Sequence, residues 1–172
     1  MARVAFDAKR KEGQDKNYFK GDFTTPEMLA IDLIALVPIL SDDVVLDAGS
    51  GEHKVWYENI PSTRKKEVEI KDGKDFLTFS EQVDWVIGNP PFWQFIPFVL
   101  HSSEIARKGF GFLTNHSRIN QLTPRRLEKL KEKGFYLSVI HILCVKKWFG
   151  RYYFIVFTRT PAQGISWSTK NY

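Results

Sequence analysis

The run Val83-Asp84-Trp85-Val86-Ile87, followed at once by Gly88-Asn89-Pro90-Pro91-Phe92, constrains the fold more than any other stretch of the chain. A short, nearly continuous apolar run fits a strand covered on both faces, as in a parallel sheet sandwiched between helices. The two prolines stop that strand abruptly, since each fixes φ and lacks an amide hydrogen. Pro90 also holds Asn89 extended. An amide, two rigid rings and an exposed aromatic tip are more than a surface connection requires. With no proline N–H to donate, the local backbone offers carbonyls. The Asn89 side-chain oxygen and the Pro90 carbonyl can then both accept from one planar NH2 group, with Phe92 stacked on the ring that bears it. Two such acceptors favour the pyramidal, nucleophilic form of an amine whose lone pair is otherwise delocalised. A purely structural turn is the competing reading.

The rest of the chain suits that strand. "TTPEMLAIDLIALVPIL" reads as a helix with Thr25 as N-cap and Pro26 at the first position, its Leu29, Leu33, Leu36 and Val37 on one face. "DDVVLDAGSG" and "KEVEI" read as short strands, "FIPFVLHSSEIARK" as a helix with Pro97 near its start, and "GFGFLTN" as a strand. "TPRRLEKLKEKG" is a helix opened by Thr123 and Pro124 and stopped by Gly134. "YLSVIHILCV" and "RYYFIVFTR" form an antiparallel closing pair across "KKWFG". The expected fold is three-layer, Rossmann-like α/β, with a mostly parallel seven-stranded sheet that ends in an antiparallel pair. One domain over residues 23–160 is expected, with a loose arm over 1–22 and a tail over 161–172.

Composition narrows the class without deciding it. The 172 residues are 43% hydrophobic and 15% aromatic, which fits a packed core rather than disorder. Lys and Arg outnumber Asp and Glu by 25 to 20, a mild excess that favours polyanionic partners without requiring them. The single cysteine, Cys144, excludes an internal disulfide and reads as a small core residue. The N-terminal stretch lacks the apolar segment of a signal peptide, and "MLAIDLIALVPIL" is too short for a membrane span. A soluble, cytoplasmic protein is the expectation. His53, His101, His116 and His141 have no ligand spacing, which predicts no metal.

Other candidate site residues lie where an open α/β sheet binds ligands, beyond the carboxyl ends of its strands. In "VLDAGSGEH", Asp47 ends a strand and Gly49 and Gly51 allow a tight turn around a ligand. Glu52-His53 stand where a dinucleotide site would continue its glycine pattern, which suits a ligand without phosphates better. The same segment also serves as a plain strand-to-helix turn. Glu69 is placed to grip ribose hydroxyls, or else is a solvated strand-end carboxylate. Asp72 and Asp75 can each accept from an exocyclic amine, and Phe76 makes Asp75 the better fit to a purine.

Together these segments resemble the S-adenosylmethionine-dependent amino-methyltransferases, especially the N6-adenine enzymes. "NPPF" behind an apolar strand is similar to their motif IV, "FTTPEMLAIDLIALV" to motif X and "VLDAGSG" to motif I, in the order X, I, IV of the gamma-type DNA enzymes. The resemblance spans about Phe23 to Arg159. It implies S-adenosyl-L-methionine as cofactor, with Phe23, Thr24 and Pro26 near its methionine end. Asp47, Gly49 and Gly51 would line the amino-acid and ribose portion, Glu69 the ribose hydroxyls, and Asp75 with Phe76 the adenine. Asn89, Pro90, Pro91 and Phe92 would receive a flipped-out target base, with Trp93 beside it, for direct in-line attack on the sulfonium methyl.

The target under this resemblance is DNA, with RNA as the next choice. Gamma-type enzymes carry a recognition domain after the closing strands, where this sequence has "PAQGISWSTKNY". Sequence reading is therefore expected from a partner subunit, from dimerisation, or from "NHSRINQLTPRR". In and after that insert, Arg118, Arg125, Arg126, Lys129, Lys131 and Lys133 form a basic cluster suited to phosphates, or a solvated face, and His116 with Arg118 near a strand end suits contact with substrate, or plain surface polarity. "KKWFGRYY" suits a basic aromatic hairpin tip that stacks on bases, or a cap on the core. Methylation of a protein glutamine and a non-catalytic partner subunit are the other readings; the basic surface opposes the former and the intact "NPPF" opposes the latter.

Overall fold

The two apolar runs that end in "DAGSG" and "GNPPF" lie side by side inside one sheet. The computed structural model describes residues 24–161 and, as backbone, 164–171. The expected N-terminal arm and Phe23 lie outside the described residues. The strands are β1 (Val44–Ala48), β2 (Arg64–Val68), β3 (Val83–Gly88), β4 (Ala106–Asn115), β5 (Tyr136–Cys144), β6 (Tyr152–Thr158) and β7 (Gly164–Asn171). They form a seven-stranded sheet in the order β2-β1-β3-β4-β6-β5-β7. β1 pairs in parallel with β2 and β3, and β3 with β4. β6 is antiparallel to both β4 and β5, and it is the one strand running against the rest.

Helices cover both faces, as the continuous apolar strands require. α1 (Glu27–Ile34) and α2 (Val55–Asn59) pack on one face, and α3 (Phe95–Ile105) and α5 (Pro124–Glu132) on the other, with a single-turn α4 (His116–Ile119) after β4. Alternate residues of the same strands feed the two cores. Val45, Trp85, Ile87, Phe154 and Val156 join Leu29, Leu33 and Trp56, whereas Leu46, Val86, Phe110 and Phe112 join Phe95, Phe98 and Leu130. Gly109 and Gly111 make room for this packing. A Cβ at Gly109 would meet the Phe157 carbonyl at 2.3 Å, and one at Gly111 the Phe154 ring at 2.8 Å.

Several local expectations change. α1 stops at Ile34, and the amides of Leu36 and Val37 bond three residues back to Leu33 and Ile34. This tightened turn leads into Pro38, which has no amide to continue a helix. Thr25 is not an N-cap; Pro26 takes that position without a side-chain bond, and Thr25 turns inward. Cys144 is exposed, because alternation along β5 buries Leu143 and leaves its neighbour outside. The expected tail contains β7, whose backbone pairs in parallel with β5, with Ile140 opposite Ile165 and Ile142 opposite Trp167. Apolar residues two apart in "GISWS" carry the strand period that a reading for loops passes over. Among the described residues no helix is long and apolar enough to cross a membrane.

Candidate active site

The carboxyl ends of β1, β2, β3 and β4 bring most of the expected residues to one edge of the sheet. Asp47 is fully buried in β1. Its Oδ2 accepts from the Tyr57 amide at 3.0 Å, which seats α2 over the strand end. Its Oδ1 is buried with no hydrogen-bond partner among the described residues. Burial, with the nearby Glu67 and Glu69 carboxylates adding to it against the Tyr57 bond, pushes the Asp47 carboxyl up to about 8.

Directly across, Gly88 ends β3 at φ 150°, and a Cβ there would lie 2.8 Å from the Ala48 carbonyl and 3.1 Å from Asp47 Oδ1. Only glycine lets the two strand ends approach this closely. The following Asn89 therefore starts its turn from directly beside the buried carboxylate.

The turn after β1 is built for tight curvature and is pinned to β2. Gly49 and Gly51 have φ of 80° and 68°, and the Gly49 and Ser50 amides donate to the Val68 carbonyl at 3.0 and 3.1 Å. Lys54, at φ 48°, is bonded to Glu67 at 2.7 Å, and Ser50 Oγ donates to the same carboxylate at 2.6 Å. Lys54 first and Ser50 second hold the Glu67 carboxyl below its ordinary range. Glu69 Oε2 accepts from the Gly51 amide at 2.8 Å and Oε1 from the Lys71 amide at 3.2 Å. Each oxygen retains acceptor capacity for a hydroxyl. α2, which follows this turn, has only five residues.

In the segment before β3, Asp75 Oδ1 accepts from the Leu77 amide at 2.9 Å and caps the turn Phe76–Thr78. Asp75 also lines a shallow groove of about 350 Å³ along β2 with Lys66, Glu67, Val68, Lys74 and Thr78. Phe76 is 3% exposed and packs on Phe98 and His101, with centroids 4.5 and 5.0 Å away, so its ring belongs to the core rather than to an open purine slot. Ile70, immediately after Glu69, is 63% exposed. Beside Glu69 it leaves apolar surface open where Phe76 does not.

The turn Asn89-Pro90-Pro91-Phe92 departs from expectation at its tip. Pro90 is buried, and Phe92, expected to be exposed, is 4% exposed and lies 5.8 Å from the Tyr152 ring. Tyr152 in turn packs on Trp148 at 5.0 Å, so the closing strand pair supports the turn from behind. Trp93 is 49% exposed beside it. Asn89 Nδ2 donates to Thr25 Oγ1 at 3.2 Å, and Trp56 Nε1 donates to the same oxygen at 3.0 Å. Sequence reading missed Thr25, because a threonine before a proline is the ordinary sign of a helix cap. Thr24 and Pro26 flank it at the start of α1.

The basic cluster divides. His116 and Arg118 follow β4 at the site edge, where Asn115 Oδ1 accepts from the Arg118 amide at 3.1 Å and the His116 amide donates to the Arg151 carbonyl at 3.2 Å. Arg125 and Arg126 start α5 on the same edge, Arg126 bonded to the Gln121 carbonyl at 2.6 Å. Lys131 pairs with Glu128 at 3.6 Å and Lys133 with Glu104, at the far end of α5. The cluster is one patch in sequence and two in space. The loop between β5 and β6 lies on the site edge and carries Lys146, Lys147 and a Phe149 that is 95% exposed.

No family profile and no curated protein matches the sequence. Solved structures do match. A protein from Pyrococcus horikoshii provisionally described as an RNA methyltransferase superposes with a TM-score of 0.61 at 19% identity, over 87% of this chain and 98% of that one. The 23S rRNA methyltransferase ErmE gives 0.66 at 16% identity, over 83% and 71%. The methyltransferase subunit of a type I restriction-modification system from Streptococcus thermophilus gives 0.58 at 15%, over 80% and 45%. The fold is that of the S-adenosylmethionine-dependent methyltransferases. The fold leaves the acceptor open, since that is decided by side chains rather than by the sheet.

Proposed function

We propose that the protein is an S-adenosylmethionine-dependent methyltransferase acting on the exocyclic N6 amine of adenine in DNA. The observation that carries this reading is the turn Asn89-Pro90-Pro91, which follows a buried strand and starts beside a buried carboxylate oxygen that has no partner among the described residues. That oxygen, Asp47 Oδ1, fits the cationic amino group of a methionine moiety, and Glu69 beside the exposed Ile70 fits a ribose and its base. The cofactor, when bound, supplies an electrophilic methyl on a sulfonium.

The chain's own residues do the rest. Asp47 and the backbone from Gly49 to Gly51 orient the cofactor's amino-acid end, and Glu69 holds its ribose. Asn89 Oδ1 and the Pro90 carbonyl accept from the two hydrogens of the target amine and favour its pyramidal form. The rigid prolines keep the Pro90 carbonyl and the Asn89 backbone in place without having to be ordered on binding. Asp75 supports the adenine side through its remaining acceptor capacity. Trp93 offers an exposed ring at the mouth for a flipped base, while His116, Arg118, Arg125 and Arg126 lie on the same edge for phosphates.

RNA is the second reading, and the two RNA methyltransferases among the structural neighbours favour it. The test is transfer of labelled methyl to DNA, RNA and bulk protein in parallel, with Asn89→Ala as control. Label as N6-methyladenine in DNA, lost in the control, is the expected result. Label in RNA alone moves the target, and label in protein alone moves it to a glutamine amide. No transfer together with no cofactor binding overturns the enzymatic reading and leaves a partner subunit.

A further inference from the structure

An asparagine can serve as an acceptor for an amine only if its amide faces the right way. Turned over, it presents an NH2 group to another NH2 group, and two donors repel. Nothing in Asn-Pro-Pro itself fixes this, since Pro90 restrains the Asn89 backbone and leaves the side-chain amide to rotate. The structure supplies the missing restraint from a distant segment. Thr25 is 5% exposed and lies 64 residues away in sequence, yet its Oγ1 sits 3.2 Å from Asn89 Nδ2. Trp56, 2% exposed, directs its Nε1–H at the same oxygen from 3.0 Å. An indole nitrogen only donates, so Thr25 Oγ1 accepts from Trp56, and it accepts from the Asn89 amide nitrogen as well.

We propose that Thr25 is a positioning residue that sets the Asn89 amide with its oxygen toward the target amine. This inference rests on the proposed amino-methyl transfer and adds a residue outside the acceptor turn. The device spans three elements: the start of α1, the first turn of α2 and the end of β3. It also accounts for the inward side chain of Thr25, which gives up the N-cap position although a proline follows it. Thr25 touches no reacting atom in this scheme and acts only through Asn89.

The experiment compares Thr25→Ser, Thr25→Cys and Thr25→Val, a series that keeps, weakens and removes the acceptor at similar size. The expected result is near wild-type turnover for T25S, an intermediate value for T25C, and a loss of about 100-fold in kcat for T25V, the scale of a misplaced reacting group. Cofactor and nucleic-acid affinities should stay within about 2-fold across the series, since the lost interaction would act only during the reaction. In parallel, the side-chain NH2 signals of Asn89, assigned by NMR through their loss in Asn89→Ala, should shift in T25V and not in T25S. If T25V does not fold, T25C against T25S carries the comparison. Unchanged kcat with unmoved amide signals overturns the proposal. A fall in kcat that T25S fails to rescue also overturns it, since a general packing defect would then be the cause. Absence of transfer by the wild-type protein would sink the enzymatic reading instead, and the NMR arm would still decide whether Thr25 holds the amide.

Discussion

Strand β1 has an aspartate at each end, both nearly inaccessible to water, and they are opposites. Asp43, 2% exposed, precedes the strand. Its carboxylate accepts from the Leu40 amide at 3.0 Å and Trp85 Nε1 at 2.9 Å, and pairs with Lys108. Burial alone would raise its carboxyl, but these bonds outweigh that and hold it below its ordinary value. Asp47, near the other end, accepts from the Tyr57 amide alone among the described residues and is pushed up to about 8. A carboxylate buried with its partners stabilises a fold, whereas one buried without them costs stability and is kept where a ligand completes it. The amino edge of the sheet is thus a closed lock. Arg159 strengthens it by donating to the carbonyls of Ala106, Arg107 and Lys133 while lying over the Phe135 ring. The carboxyl edge is left chemically incomplete.

The sharpest way to break this contrast is to truncate each aspartate. Asp43→Ala strands the Trp85 N–H in the core and removes the partner of Lys108, and should cost about 3 kcal/mol of stability, read by chemical denaturation. Since Asp43 lies at the edge away from the site, the folded fraction should bind cofactor as before. Asp47→Asn should do the reverse. Without a group that resists ionisation, the free protein should become more stable at pH 8, while cofactor affinity falls about 100-fold, the scale of one lost buried charge partner, read by calorimetry. If both variants lose stability alike, the contrast fails.

The two aspartates also predict opposite pH behaviour. The Asp47 contribution is fully present below its unfolded value, near 4, and is lost as pH rises toward about 8, because the folded state keeps the proton that the unfolded chain gives up. Asp43 acts with the other sign: its contribution is present above pH 4 and disappears only as pH falls through its lowered folded value. The free protein should therefore be most stable on the acid side of neutrality, and Asp47→Asn should shift that maximum upward. If the cofactor's amino group pairs with ionised Asp47, as proposed, its binding should strengthen by up to about 10-fold per pH unit as pH rises toward 8. A flat affinity profile from pH 6 to 8 would separate Asp47 from the cofactor.

The same asymmetry explains what the sequence disclosed. β3 and its turn were legible because an apolar run followed by two prolines has few structural solutions, and the turn after β1 because two glycines mark positive φ. α5 was legible from Pro124 and Gly134. What stayed hidden depended on contacts between distant segments. Nothing near Thr25 announces a bond to Asn89, nothing in "NPPF" says that Tyr152 will bury Phe92, and the basic run from Arg118 to Lys133 looks continuous until α5 carries its second half to the other edge. Local chemistry marks where a strand ends, and packing decides which of its neighbours remain open.

The smallest predicted effect concerns the loop between β5 and β6, where two neighbouring rings divide the work. Trp148 is 6% exposed and Phe149 is 95% exposed. The loop is anchored on both sides, by Tyr152 Oη donating to the Phe149 carbonyl at 3.2 Å and by the His116 amide donating to the Arg151 carbonyl. A large ring held in water on a fixed loop, next to Lys146 and Lys147 and at the site edge, is suited to stacking on a nucleic-acid base. Phe149→Ala should leave stability within about 0.5 kcal/mol and weaken nucleic-acid binding by about 1 kcal/mol, the low end for one stacked base. Its effect should persist at high salt, whereas Arg125→Ala should matter most at low salt and flatten the salt dependence. A Phe149 effect that vanished with salt would mean that charge alone holds the nucleic acid at this edge, and that the exposed ring plays no part in recognition.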